Sequence, residues 1–138
     1  MTGIEITKNF PYIYVKINNI NNDVDYNKFE NLWLDLYKDK KKFIFIININ
    51  NIENVNMIYA YKMVNLIQTL KKREIQYLDY SILIVSGYII RNVLNIVFKL
   101  TAPVAPIYIV DKSDYYQELI DDIKNKNQLK SSISYVSP

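Results

Sequence analysis

Residues 81–111 read SILIVSGYIIRNVLNIVFKLTAPVAPIYIVD, and this stretch decides the fold. Residues 81–85 form a short apolar run of strand length, with no polar face to turn toward water. Ser86-Gly87 supplies a turn and a helix cap. Over residues 88–100, Ile90, Val93, Leu94 and Val97 recur at helical spacing along one side. Pro103 and Pro106 then hold the chain extended, because a proline disfavours helical backbone in the residue before it. Residues 107–110 make a second apolar strand. Strand, helix, strand is the parallel unit of an α/β sheet, closed by a right-handed crossover.

The same rhythm extends toward both ends. Upstream, residues 43–49 (FIFIINI) are apolar on both faces until Asn48, as in a buried parallel strand. A loop over 50–56 leads to a helix over 57–73, with Ala60, Met63, Val64, Ile67 and Leu70 inward. Before that strand, Tyr26, Phe29, Leu32, Trp33, Leu36 and Tyr37 draw an apolar stripe on a helix capped by Asp23 or Asp25. Residues 4–7 and 12–17 alternate around a turn at Lys8-Asn9-Phe10-Pro11 and read as a hairpin. Downstream, Ser113 or Asp114 caps a last helix with Tyr116, Leu119, Ile120 and Ile123 inward. The predicted order is β-β-α-β-α-β-α-β-α: an α/β domain with a mostly parallel five-stranded sheet and four helices. One domain spans 1–126. Residues 127–138 are polar and Ser-rich and are expected to be a loose tail, with a small chance of an added edge strand at Ile133, Tyr135 and Val136.

Composition narrows the chemistry. The 138 residues include no Cys and no His. That removes disulfides, thiolate nucleophiles, the Ser-His-acid arrangement and nearly every zinc site. Gly3 and Gly87 are the only glycines, so no phosphate-cradling loop exists. No carboxylates stand at catalytic spacing. The reading is a non-enzymatic protein without a cofactor or metal. The N-terminal residues carry no apolar run of signal-peptide length. No stretch approaches the roughly 18 apolar residues of a membrane span. A soluble, cytoplasmic protein is the expectation. The net charge of +3 does not point to nucleic acid. The wealth of Ile, Asn, Lys and Tyr reflects AT-rich codons, as in giant viruses, some parasites and some bacteria, and a virion or host-cytoplasm location would follow from a viral source.

Four segments together resemble a known family: KFENLWLDLY, FIFIININNIENVNMIYA, the stretch 81–111 and DYYQELIDDI. They resemble the STAS (SpoIIAA-like) domains, which include bacterial anti-sigma-factor antagonists and the cytoplasmic tails of sulfate transporters. The resemblance implies wound β-α units and a role in regulatory protein contacts. In that family the loop after the third strand holds an Asp at the strand end, then Asp-Ser-Ser-Gly opening the helix, where a partner kinase phosphorylates a serine. Here Asn48 stands at the strand end, and Asn56, Met57, Ile58 and Tyr59 replace the four-residue motif. The phosphoserine switch is therefore expected to be absent.

Three groups of residues are candidates for contact. The first is the loop equivalent to the family's phosphoserine loop: Asn48, Asn50, Asn51, Glu53, Asn54, Asn56, Met57, Ile58 and Tyr59. It lies beyond the carboxyl ends of the parallel strands, where sites of α/β sheets gather. Its blander reading is capping and turn chemistry, at which asparagine excels. The second is a basic rim of Lys38, Lys40, Lys41, Lys42, Lys71, Lys72, Arg73 and Lys99, joined by Lys124 and Lys126. All close helices on one edge, facing an acidic rim of Asp23, Asp25, Glu53, Asp111 and Asp114. Complementarity to helix dipoles explains such a rim; contact with an anionic membrane surface or nucleic acid is the sharper alternative. The abundant tyrosines, such as Tyr26, Tyr37, Tyr61 and Tyr116, read as packing rather than as base-stacking platforms.

The third group arises from surplus apolar surface. Units wound in one direction put helices on one face of the sheet, yet the central strands are apolar on both. A homodimer or protein partner could cover the second face, or the third helix, where Ile89, Ile96 and Phe98 exceed what the core needs. An apolar ligand is the rival, as in the distantly related Sec14-like lipid carriers. The simplest alternative is that the hairpin and tail cover the face themselves. The leading expectation is a STAS-like interaction module. A small lipid or apolar-ligand binder follows, and a viral assembly component is third.

Overall fold

A computed structural model describes residues 3–52, 54–112 and 115–138. The N-terminal hairpin pairs β1 (Ile4–Asn9) with β2 (Tyr12–Ile17), Ile4 opposite Ile17 and Asn9 opposite Tyr12. α1 (Asp23–Leu36) follows and runs into a 3-10 turn at Tyr37–Asp39. Its cap is Asn22, not Asp23 or Asp25: the Asn22 side chain accepts the Asp25 N–H at 2.8 Å. Both aspartates lie in the first turn, where the helix dipole favours their charge.

Three parallel units follow. β3 (Phe43–Asn48) leads to α2 (Met57–Lys71), β4 (Leu78–Ile84) to α3 (Tyr88–Leu100), and β5 (Ile107–Val110) to α4 (Tyr116–Lys124). The strands lie side by side in chain order, with β2 to β5 parallel. β4 begins three residues earlier than expected. The pairing slips where Phe43 meets Leu78 and Ile44 meets Tyr80, leaving Asp79 as the bulged residue. The bulge resets the alternation, so Leu78 and Leu83 both join the core under the helices. The caps proposed at Ser113 and Asp114 lie outside the described residues.

Two differences from expectation concern the sheet. It has six strands, not five, and it is mixed: β6 (Ser134–Val136) pairs antiparallel with β5. The strand lies within the segment expected to be a loose tail. Tyr135 and Tyr108 pack across that pair with their rings tilted, centroids 5.2 Å apart, and such cross-strand aromatic pairs hold an edge strand in register.

The sheet is covered on both faces. One core packs Phe29, Trp33, Phe43, Phe45, Val64, Ile67 and Val97 with their neighbours between the sheet and α1, α2 and α3. Trp33 meets Phe45 edge-on at 5.5 Å, a geometry the ring quadrupoles favour. The other core lies on the opposite face. There Ile44, Ile46, Ile82, Ile84 and Val110 meet Leu119 and Ile120 of α4, with Tyr14, Tyr116, Leu129 and Ile133 around them. Thus α4 and the segment after it cover the second face, and the hairpin contributes Tyr12 and Tyr14. Among the described residues, the apolar side chains at the centre of that face are covered from within the chain.

If α4 closes the second core, truncating Leu119, which is 1% exposed, lowers stability by about 2–5 kcal/mol as Leu119→Ala. Val24→Ala, on the exposed side of α1, changes stability by no more than about 0.5 kcal/mol. Urea unfolding reads both, and equal small effects would mean that α4 is not a structural cover.

Candidate functional site

The most distinctive feature is a cavity of about 180 Å³ between the sheet and the three helices of the first face. Its walls are almost wholly apolar. β3 contributes Phe45 and Ile47, α1 Phe29 and Trp33, and α2 Ala60 and Met63. α3 presents its whole inner face: Ile90, Val93, Leu94, Val97 and Phe98. The local causes are small side chains at inward positions where the fold otherwise places large ones. Ala60, Ser81 and Ala105 are all buried and all line the space. The extended stretch at Pro103, Val104 and Ala105 closes one end. Of the thirteen residues of α3, only Ile90 and Val97 are buried. The helix therefore rides over the cavity rather than pressing on the sheet.

Some lining residues keep partial exposure and mark where the cavity meets the surface. Ile20, Ile52, Val55 and Tyr59 lie at the carboxyl edge of the sheet; Met63, Val93, Leu94, Phe98 and Val104 lie along α2, α3 and the strand approach. Apolar cavities stay dry, since water inside would have no partners. At about 24 cal/mol per Å³ of unfilled volume, a void of this size costs up to about 4 kcal/mol. That is a large share of the roughly 5–15 kcal/mol by which a domain is stable. Polar groups in the walls include Ser81 and the Trp33 indole, whose Nε1 is buried without a hydrogen-bond partner among the described residues.

A clasp joins α1 and α2 at the carboxyl edge. Tyr26 and Tyr59 stack with centroids 5.7 Å apart, and both line the cavity. The Tyr59 hydroxyl donates to Asp23 at 3.0 Å, and Lys62 Nζ donates to the same carboxylate at 3.2 Å. Lys62 and Tyr59 together hold the Asp23 carboxyl below its usual range. Burial, then the Asp23 hydrogen bond, pushes the Tyr59 hydroxyl up.

The loop singled out in the sequence is mostly engaged in holding itself. Asn48 accepts the Asn50 N–H at 3.0 Å, and Asn50 accepts both the N–H and the hydroxyl of Ser86. Asn51 donates to Asn18, and Asn56 caps α2 by accepting the Ile58 N–H. These bonds tie the loop after β3 to the segments that follow β2 and β4 and cap α2 locally, the turn and capping role asparagine fills elsewhere. Asn54 is exposed and Met57 packs half-buried on the core. Ile58 is exposed, and Glu53 lies outside the described residues. Of the residues singled out there, Tyr59 lines the cavity, as do Ile52 and Val55 of the same loop.

The basic rim is also partly occupied. Lys38 pairs with Asp35 at 3.0 Å, Lys42 donates to the Gln76 carbonyl at 2.9 Å, and the Arg73 guanidinium lies 4.5 Å above the Tyr37 ring. Lys40 terminates the 3-10 turn in the left-handed region, at φ 53°. Asp35, Asp39 and Glu74 are interleaved with these cations. Among the expected apolar contacts, Ile89 and Ile96 are exposed, whereas Phe98 is half-buried and faces the cavity. Tyr61, expected inside, is exposed; Tyr26 and Tyr37 are buried. Among the described residues, no three acidic, His or Cys side chains converge as a metal site, and no helix is long and apolar enough to cross a membrane.

Compared with protein-family models, curated proteins and solved structures, the chain matches none.

The cavity gives one stability test a sign. Val97→Ile adds a methylene to its wall. In an unfilled space that gains about 0.8 kcal/mol, whereas in a close-packed core the same insertion costs about 1–3 kcal/mol. Thermal and urea unfolding of the variant distinguish the two.

Proposed function

We propose that the chain is a non-catalytic binding module that holds a small apolar molecule between its sheet and α1, α2 and α3. The observation that carries this reading is the apolar cavity of about 180 Å³. An engineered cavity of about 150 Å³ lined by aliphatic and aromatic side chains accepts benzene. The space here suits a substituted ring or a short alkyl segment. Occupancy would offset the cost of leaving it empty. The lack of His and Cys agrees with a binding role rather than a catalytic one. The ligand needs no charged recognition, because the walls offer none.

The protein-contact role implied by the STAS resemblance is the second reading. It is favoured by Ile58, exposed at the start of α2 beside the loop that carries the family's docking site. In that reading the contact is constitutive, since no hydroxyl stands at the serine positions. No feature of the fold favours an assembly role.

Trp33, the sole tryptophan, lines the cavity and reports on it directly. Bromobenzene should quench its emission saturably. Val97→Phe and Ala105→Leu, on opposite walls, should each weaken that binding by about tenfold or more, the equivalent of roughly 1.4 kcal/mol of lost affinity. Quenching that rises linearly with bromobenzene and is unchanged in both variants would remove the ligand reading.

A further inference from the structure

The outer surface of α3 holds an apolar stripe that the core does not use. Ile89, Ile96 and Leu100 stand at i, i+7 and i+11, on one side of the helix. All three are exposed, at 57%, 41% and 53%. Tyr88, at the first turn, is 79% exposed. Val93, half-buried and lining the cavity, continues this stripe inward. The apolar arc of α3 is thus wider than the sheet beneath it requires. Its inner part walls the cavity, and its outer part meets water.

The charged residues of α2 and α3 have one sign. α3 carries Arg91 and Lys99, and its neighbour α2 carries Lys71 and Lys62, the latter paired with Asp23 of α1; neither helix has a carboxylate of its own. No Asp or Glu occurs anywhere between Asp79 and Asp111, or from residue 54 to residue 73. The acids are segregated to other helices: Asp23, Asp25, Glu30 and Asp35 on α1, and Glu118, Asp121 and Asp122 on α4. α2 adds exposed Ile58 and Tyr61. Large apolar side chains among lysine and arginine, without carboxylates, are the composition of a helix that lies in a lipid interface. A protein or nucleic-acid partner would need only one of these two features. A bilayer with anionic headgroups meets both.

We infer that the α2–α3 face docks on an anionic lipid surface, with the Ile89–Ile96–Leu100 stripe entering the headgroup boundary and Lys99, one turn from Ile96, meeting phosphates. The inference extends the ligand-binding reading: the partly exposed cavity residues Met63, Val93, Leu94 and Phe98 lie on these two helices. An apolar molecule dissolved in the bilayer would then reach the cavity without crossing water.

The test is flotation of the full chain with vesicles of phosphatidylcholine alone and with about one third phosphatidylserine. Binding should favour the anionic vesicles by about tenfold or more and fall with added salt. The triple variant Ile89→Ser, Ile96→Ser, Leu100→Ser should lose it while keeping its melting transition and its saturable Trp33 quenching by bromobenzene. Lys99→Gln, which leaves the stripe intact, should reduce the preference for phosphatidylserine. Failure of the wild type to float with anionic vesicles at low salt would overturn the inference, as would undiminished flotation of the triple variant. Self-association that the triple variant abolishes, without vesicle binding, would assign the stripe to a second copy and overturn it too. Vesicle binding without Trp33 quenching would leave the docking surface standing and remove the cavity ligand, so the two readings fail separately.

Discussion

The structure depends on β3. Phe43, Ile44, Phe45, Ile46 and Ile47 are all buried, which requires cover on both faces of the sheet's centre. Phe43, Phe45 and Ile47 point to one side and Ile44 and Ile46 to the other, since successive side chains alternate. Right-handed crossovers wound in one direction supply three helices to the first side. The second side then has to be covered by whatever chain follows the last parallel strand. Here that is α4, with Leu129, Ile133 and the tyrosines of β2 and β5. The antiparallel edge β6 follows from the same demand, because the segment that crosses the second face ends beside β5.

The first face is covered but not filled. Large residues sit where α1 crosses β3, and the aromatic group of Phe29, Trp33, Phe43 and Phe45 packs there with ring centroids 5.3 to 6.1 Å apart. Toward α3 the inward residues shrink to Ala60, Ser81 and Ala105, and the helix is held off the sheet. Protein interiors ordinarily close such gaps, because a void forfeits contacts on every wall. The position of the gap matters as much as its size. It lies beneath α3, whose apolar arc extends outward and which carries no carboxylate. The cavity and the exposed stripe are two sides of one helix.

The carboxyl edge shows how a suggestive loop can be structural. In an α/β sheet the loops beyond the strand ends are the usual place for a site. In this chain the asparagines there fix the loop after β3 to Asn18 and Ser86 and cap α2. The Tyr26–Tyr59 stack, held by Asp23 and Lys62, then lines the cavity at that edge.

The sequence by itself determined the four helices, the five strands of the main sheet and their order, because hydrophobic period is a local property. Alternation marks the hairpin, three- and four-residue spacing marks α1 to α4, and doubly apolar runs mark the parallel strands. It also showed that the third helix had apolar residues to spare, at Ile89 and Ile96. Tertiary structure alone decided the rest. Whether Phe98 faces out or in depends on how far α3 stands from the sheet. Whether 134–136 forms a strand depends on where α4 delivers the chain. The cavity has no local signature at all. It exists because Ala60, Ser81 and Ala105, far apart in the chain, face one space, and a missing volume belongs to no residue until the walls are assembled.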